Sequence, residues 1–283
     1  MSERSPFVVD ADWLQGWLGK PGLSIVDASW YLPAQKRDAR AEYDQAHIPG
    51  AVFFDQDLVV DNTSELPHTL PKPEQFAPFA GTMGISVDDT IVVYDGAGMF
   101  SAPRVWWMFR VMGAKEVFVL DGGFDRWKAE GRPVTAEPTK VAPCIFMTDF
   151  DASRVASLAD MRAIVGGGER QIADARSAGR FAGTDPEPRA GVRGGHMPGA
   201  KNVPATSLSE NGRLLPLDEL RARLEGAGLD LDKPIVTSCG SGVTAAVITL
   251  ALESVGHHGS KLYDGSWTEW GSRTDTPVAT GKE

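Results

Sequence analysis

Cys239 is the residue of this sequence whose type and surroundings best suit covalent chemistry. It follows the apolar run PIVTS and precedes the loop Gly240-Ser241-Gly242-Val243-Thr244, after which an apolar segment of helical length begins. A cysteine at such a strand-to-helix turn faces successive backbone N–H groups and the positive end of the helix dipole. This setting lowers a thiol pKa from about 8.5 into the range of about 3.5–7.5. The loop therefore predicts a thiolate nucleophile, with amides to hold the additional sulfur of a persulfide.

The other cysteine, Cys144, lies in no comparable loop, and we expect it to be chemically inert. Two cysteines give neither a disulfide framework nor a zinc site with several thiolates. The sequence also carries no motif for an organic cofactor. We therefore expect group transfer through Cys239 without a metal and without a cofactor.

The elements that must position this loop follow from an internal duplication. Four segments recur in the same order, 143 to 149 positions apart: SIVDASW and QIADARS, HIPGAVFF and HMPGAKNV, IVVYDGAG and IVTSCGSG, VLDGGFDRW and LYDGSWTEW. In the third pair Asp95 takes the position of Cys239, so the first copy has no sulfur carrier. We interpret the paired DGG and DGS turns as structural, and Trp127 and Trp270 as core anchors.

Each copy alternates short β-branched apolar runs with helix-length segments, which is the pattern of βαβ units. The helices after Asp95 and Cys239 are predicted to end at Gly113 and Gly256, residues suited to the position after a helix C-cap. The fold class predicted is α/β, with two tandem domains, each a mainly parallel sheet with helices on both faces. The predicted bounds are 1–140 for the inactive domain, 141–157 for a linker and 158–283 for the catalytic domain. The proline-rich segment 55–79 is expected to be irregular, without a counterpart in the second copy.

Composition excludes several classes of partner. The formal net charge is −10, whereas a nucleic acid or an anionic membrane surface attracts a basic face. The first residues show no continuous apolar region typical of a signal peptide, and no run approaches the roughly 18 apolar residues of a membrane helix. We therefore expect a cytoplasmic protein that binds neither nucleic acid nor membrane.

The loop CGSGVTA, residues 239–245, resembles the active-site loop of sulfurtransferases that use 3-mercaptopyruvate. The duplicated arrangement resembles the rhodanese-like sulfurtransferase family over about residues 6–280. This resemblance implies two rhodanese-like domains and sulfur transfer from 3-mercaptopyruvate through a Cys239 persulfide, with release of pyruvate. The acceptor would be a thiol, such as thioredoxin or a small dithiol, or cyanide in an assay. Four loop residues would surround the substrate: Gly240, Gly242, Val243 and Thr244.

The resemblance also assigns side chains outside the loop. The segment GRFAGTDPEPRAGVRGGHMPGA, residues 179–200, is similar to the family's stretch whose two arginines bind the substrate carboxylate and carbonyl, which implies this role for Arg180 and Arg189. The family further implies a proton relay of Ser241, His68 and Asp57 around the thiol and the leaving enolate. A histidine suits such a relay because its ordinary pKa of about 6.5 is near neutral pH.

Three alternatives remain at this point. A thiosulfate:cyanide sulfurtransferase would share the fold and nucleophile, but such enzymes typically carry basic residues after the cysteine, where this sequence has Gly240 and Ser241. A cysteine phosphatase or arsenate reductase needs an arginine six positions after the cysteine, and Ala245 stands there. A non-catalytic sulfur-binding module fits only the first copy, because the second retains Cys239.

Overall fold

The computed structural model describes residues 3–281, and its strands form two five-stranded sheets and one two-stranded antiparallel sheet, of Ser209–Glu210 and Arg213–Leu214. The strands of the first half are β1 (Val8–Val9), β2 (Leu23–Asp27), β3 (Ala51–Phe53), β4 (Thr90–Tyr94) and β5 (Val117–Leu120). The strands of the second half are β6 (Val155–Ala156), β7 (Gln171–Asp174), β8 (Ala200–Asn202), β9 (Ser209–Glu210), β10 (Arg213–Leu214), β11 (Ile235–Ser238) and β12 (Lys261–Tyr263).

Helices alternate with these strands. The first half contains α1 (Ala11–Trp17), α2 (Ala39–Gln45), α3 (Pro73–Thr82), α4 (Ala102–Val111) and α5 (Gly123–Ala129). The second half contains α6 (Leu158–Val165), α7 (Ala178–Ala182), α8 (Leu217–Gly226), α9 (Ala245–Ser254) and α10 (Ser266–Ser272). Short 3-10 helices lie at Pro33–Gln35, Ala152–Arg154 and Ala205–Ser207. None of the helices within 3–281 is long and apolar enough to cross a bilayer.

The two five-stranded sheets have the same topology. Their strand orders are β1-β5-β4-β2-β3 and β6-β12-β11-β7-β8, and all neighbours in both sheets are parallel. In each sheet the strand before the duplicated loop lies at the centre, so its carboxyl end opens between neighbouring strands. This is the edge at which open parallel sheets bind their ligands. The predicted fold class is confirmed.

Alternation along the strands sends side chains to both faces of each sheet, and helices cover both faces. In β4, Val92 and Tyr94 pack with residues of α1, α2 and α5, whereas Ile91 and Val93 pack with residues of α3 and α4. In the second half, α6, α7 and α10 supply one face and α8 and α9 supply the other. Trp127 is a buried member of its half's outer cluster, as predicted for a core anchor, and Trp270 is its counterpart.

Helices α4 and α9 join the two halves. They pack against each other, and a single hydrophobic cluster contains their apolar side chains together with residues of both sheets. Both helices end as predicted, because Gly113 and Gly256 follow the C-caps with φ of +109° and +84°. The faces of α4 and α9 that meet each other therefore form the boundary between the halves.

The proline-rich segment differs from its expectation. Residues 55–72 contain no helix or strand, but α3 begins at Pro73, so the prediction of an irregular segment through residue 79 was wrong. A proline at the first helical position loses no hydrogen bond, because that N–H has no partner within a helix. Helix α3 precedes β4 as α8 precedes β11, so the segment also has a counterpart in the second half.

The segment expected to connect the two domains runs along the first half. Cys144 N donates to Gly81 O, and Asp149 N donates to Met112 O, both at 2.9 Å. Within the expected linker, β6 pairs in parallel with β12 at the edge of the second sheet. The last residues of that segment are therefore part of the second sheet.

Candidate active site

A cavity of about 600 Å³ lies between the halves, with Cys239 and Asp95 both in its lining. The second half contributes its loop and the residues around Arg180 and Arg189. The first half contributes mainly apolar side chains: Trp30, Tyr31, Leu32, Pro33, Met99 and Phe100. One wall of the cavity is therefore built by the half that lacks the cysteine.

Cys239 follows β11 and is 2% exposed. We call residues 239–244 the Cys239 loop. Its backbone is fixed by the start of α10: Cys239 N donates to Ser266 Oγ at 3.2 Å, and Cys239 O accepts from Trp267 N at 2.9 Å. Gly242 has φ of +82°, and a Cβ there would lie 3.0 Å from Asp264 O. Only glycine fits this position without strain.

The matching loop of the first half shows what such a backbone binds. We call residues 95–101 the Asp95 loop. The Asp95 carboxylate accepts from four backbone N–H groups, those of Gly98, Phe100, Ser101 and Ala102, at 2.5 to 3.0 Å. Gly98 has φ of +82°, the same value as Gly242. The backbone of this duplicated loop therefore forms a nest that holds an anion.

The corresponding amides of the Cys239 loop belong to Gly242, Thr244, Ala245 and Ala246. Ala246 N donates to Val243 O at 3.3 Å. The other three N–H groups donate to no acceptor in the part of the chain that the structure describes. By correspondence with the Asp95 loop, we expect these donors to face negative charge on the Cys239 side chain. Gly240, Val243 and Thr244 line the cavity, and Gly242 is not among its lining residues.

Arg180 lies beside this loop, at the end of a chain of alternating charges. Asp174 pairs with Arg176 at 2.6 Å, and Arg176 pairs with Glu187 at 2.9 Å. Glu187 in turn accepts from Arg180 Nη2 at 2.6 Å and from Arg180 Nε at 3.2 Å. The first three side chains are at most 4% exposed, and Arg180 is 23% exposed. Arg180 is thereby fixed with its guanidinium toward Gly240.

Arg189 lines both the main cavity and an adjoining groove that contains His68 and Asp57. Its positive charge contributes to lowering the pKa of His68. The two arginines implied by the family resemblance therefore both face the cavity, on the side of the second half. Glu187, which sequence reasoning missed, is the residue that orients Arg180; the available signal was an acidic residue located between Arg180 and Arg189 in the sequence.

Asp57 and His68 lie together in the first half. His68 Nδ1 is 3.4 Å from Asp57 Oδ1, and Trp30 Nε1 donates to the same carboxylate at 3.2 Å. Burial lowers the pKa of His68, and the Asp57 charge partly opposes this effect. The ring is therefore largely neutral at neutral pH. Ser241 lies in the main cavity and shares no hydrogen bond with His68 among residues 3–281. The structure thus brings together two members of the expected relay.

Residues 3–281 contain no cluster of three or more histidine, cysteine, aspartate or glutamate side chains placed to hold a metal ion. The chemistry that this arrangement can perform is nucleophilic attack by the buried Cys239 sulfur inside an anion-binding loop. A fixed cation at Arg180 lies beside Gly240, the residue that follows Cys239.

Comparisons with known proteins point to one family. The profile of the Rhodanese-like domain matches twice, at residues 10–130 and 157–273. The chain is 44% identical to the 3-mercaptopyruvate sulfurtransferase of Escherichia coli K12, over 95% of this chain and 96% of that protein. It is 43% identical to the mitochondrial thiosulfate/3-mercaptopyruvate sulfurtransferase 1 of Arabidopsis thaliana, over 96% of this chain and 77% of that protein. The crystal structure of SseA from Escherichia coli is similar with a TM-score of 0.86 and 42% identity, covering 92% of this chain and 98% of SseA.

Proposed function

The chain belongs to the rhodanese-like sulfurtransferase family, and we propose that it transfers sulfur from 3-mercaptopyruvate through a Cys239 persulfide to a thiol acceptor. The observation that carries this proposal is the duplicated loop. One copy binds the Asp95 carboxylate with four backbone N–H groups, and the other places Cys239 at the same point. A persulfide anion has a comparable size and charge to that carboxylate, so the loop suits it as a resting intermediate.

The reaction is a double displacement. The Cys239 thiolate attacks the donor sulfur, the donor's carbon–sulfur bond breaks, and its electron pair leaves as the enolate of pyruvate. The enolate carbon takes up the proton of the donor thiol and becomes the methyl group of pyruvate, which leaves the persulfide as an anion. An acceptor thiolate then attacks the outer sulfur of the persulfide, which restores the Cys239 thiolate. If the acceptor is a dithiol, its second thiol releases the sulfur as hydrosulfide and forms a disulfide.

Arg180 and Arg189 would hold the donor's carboxylate and carbonyl in the cavity. Arg180 is supported in this role because Glu187 fixes its guanidinium beside Gly240. We also propose that His68, kept neutral by burial and oriented toward Asp57, moves the proton between the donor thiol and the enolate. Ser241 would complete the path when the donor lies between the halves, since its hydroxyl borders the same cavity.

The alternative donor is thiosulfate, a compact dianion. The residues after Cys239 favour mercaptopyruvate because Gly240 and Ser241 provide no cation inside the loop, whereas Arg180 and Arg189 approach from outside it. Steady-state kinetics with both donors, under one acceptor, test this assignment. We expect a higher kcat/KM for mercaptopyruvate; a higher value for thiosulfate would establish the thiosulfate:cyanide reaction instead.

The remaining features of the proposal concern partners and organisation. We propose thioredoxin or a small dithiol as the acceptor, with the reaction in the cytoplasm and without nucleic acid or membrane. Residues 158–283 would form the catalytic domain, with 1–140 as the inactive domain and 141–157 as the linker. Replacing cyanide by reduced thioredoxin in the assay tests the acceptor: turnover should persist, with formation of oxidised thioredoxin.

A further inference from the structure

Two equivalent hydrogen bonds join the halves, one beside each duplicated loop, each from a leucine N–H of one half to an aspartate of the other. We call each of these contacts, with the arginine that also binds the aspartate, a clasp. In the Asp121 clasp, the carboxylate accepts from Leu214 N of the second half at 3.0 Å. In the Asp264 clasp, the carboxylate accepts from Leu70 N of the first half at 2.7 Å. The two aspartates occupy equivalent positions of the duplicated sequence, and so do the two leucines. This bond between the halves is therefore a shared feature of both copies.

The arginine of each clasp is not shared. Arg213 neighbours the leucine of its own clasp, is 34% exposed, and donates to Asp121 Oδ2 at 2.7 Å. Arg104 comes from α4, is 1% exposed, and donates to Asp264 Oδ1 at 2.7 Å. Its counterpart in α9 is the apolar Ile248. A fully buried arginine is costly unless several partners satisfy it, so its additional contacts are informative.

Arg104 contacts the site from two sides. Its Nη2 donates to His68 O at 2.7 Å, and its Nη1 donates to Gly242 O at 3.4 Å. A Cβ on Gly242 would lie 3.1 Å from Arg104 Nη1, so the guanidinium and the Cys239 loop are in close contact. The Trp107 ring supports the other side of the guanidinium, at 4.7 Å. One planar group from the first half thus joins the loop that carries the nucleophile to the segment that carries His68.

His68 requires such support because of its backbone. It is not a glycine, yet its φ is +57°, in the left-handed region that non-glycine residues rarely occupy. The bond from Arg104 reaches its carbonyl, and the bond from Leu70 N to Asp264 fixes the chain two residues later. The strained conformation is therefore held by the Asp264 clasp itself.

We propose that Arg104 is a positioning residue for sulfur transfer, which aligns the Cys239 loop with His68 across the boundary between the halves. Asp264 anchors its guanidinium. This inference rests on the proposed function, because it concerns the same site. Arginine is needed here since its planar group presents several N–H donors in fixed directions, whereas a lysine has a single nitrogen. The Asp121 clasp has the equivalent aspartate and leucine beside the loop that lacks a nucleophile, and its carboxylate also accepts from an arginine, Arg213, so it provides a control.

The test compares Arg104→Lys with Arg213→Lys, both in a Cys144→Ser background so that Cys239 is the reporting thiol. We expect Arg213→Lys to keep kcat/KM for mercaptopyruvate within about twofold, as for most surface changes. Arg104→Lys should lose about 10-fold or more, mainly in kcat, because the alignment and not the affinity is lost. The rate of Cys239 alkylation by iodoacetamide, measured against pH, should shift to higher pH only in Arg104→Lys. Displaced loop amides would stabilise the thiolate less.

Unfolding by urea separates positioning from stability. If Arg104→Lys is insufficiently stable, Asp264→Asn and Asp121→Asn form a second matched pair with the same expected contrast. Equal kinetics and equal alkylation profiles in the matched variants would overturn the inference. The alkylation profile reports on the loop without any donor. A protein that shows the alkylation contrast but no sulfur transfer would therefore refute the proposed function and leave the positioning of the loop established.

Discussion

Arg180 lies directly against Gly240, with its Nη2 atom 3.0 Å from the point where a Cβ on that glycine would stand. The first half has a related arrangement, in which Arg37 Nη2 lies 3.2 Å from the equivalent point on Gly96 and the Tyr31 hydroxyl lies nearer to it. A glutamate holds each arginine, at 2.6 Å in both halves. The duplicated unit therefore includes a fixed cation beside its anion-binding loop, and the second half combines that cation with a cysteine.

Cys239→Ser should abolish sulfur transfer, whereas Cys144→Ser should retain most of it. A serine hydroxyl cannot form a persulfide. Cys144 is in addition less reactive, because partial burial and the nearby Asp89 charge raise its pKa. Mass spectrometry after treatment with mercaptopyruvate should show one added sulfur on the peptide that contains Cys239. Sulfur on the Cys144 peptide instead would contradict the assignment.

Arg180→Ala and Arg189→Ala should each lower kcat/KM for mercaptopyruvate by roughly 10- to 150-fold. This range corresponds to the loss of a hydrogen bond to a charged group, about 1.5–3 kcal/mol. Arg40→Ala, on the exposed surface of α2, is a suitable control and should change kcat/KM by less than about twofold. Near-native kinetics in both cavity variants would show that the carboxylate binds elsewhere.

Replacing Gly240 by arginine and Ser241 by lysine should shift the donor preference toward thiosulfate. Gly240 does not have a left-handed backbone, so the main obstacle to a side chain is Arg180 rather than strain. An arginine at 240 would repel Arg180 and weaken mercaptopyruvate binding, while the added cations would neutralise the sulfonate of thiosulfate. The ratio of the two kcat/KM values reports this change. A ratio that stays constant would mean that the loop does not select the donor.

Gly240→Ala is the control for that experiment. The added methyl group crowds Arg180 but introduces no charge, so activity with both donors should fall together. A change of the donor ratio in Gly240→Ala would attribute selectivity to the shape of the loop.

Asp27→Asn and Asp174→Asn should change stability in opposite directions above pH 7. Burial raises the pKa of Asp27 from 3.8 to about 6, so the folded state binds more protons than the unfolded state between these values. Its contribution to stability is therefore present below about pH 4 and is lost as the pH rises through 6. Removing the carboxylate should add about 1–3 kcal/mol at pH 8.

Asp174 occupies the equivalent position but pairs with the buried Arg176. Its replacement leaves a buried cation with fewer partners, which costs about 3–5 kcal/mol. Urea unfolding at pH 4 and pH 8 measures both variants. Destabilisation by Asp27→Asn at pH 8 would show that its carboxylate is stabilised by its hydrogen bonds more than it is penalised by burial.

The duplication allowed the fold class, the two central strands and the ends of α4 and α9 to be predicted, because these features depend on local patterns that occur twice. The partners of Arg104 could not be predicted in this way. An arginine in the apolar segment SAPRVWWMFRVMG was a visible signal, but its acceptors at His68 and Gly242 are distant in sequence. They meet only because the halves pack face to face. Helix α3 was missed because its prolines resemble those of a loop.

The packing of α4 against α9 also determines how the protein unfolds. One hydrophobic cluster extends through both helices. If either half unfolds, the apolar side chains on the inner face of the other half are therefore exposed to water. Heating should therefore produce one cooperative transition, with equal calorimetric and van't Hoff enthalpies, instead of two. The half without a cysteine therefore contributes to the stability of the half that carries Cys239. A fragment ending near residue 140 would expose the apolar side chains of its inner face to water.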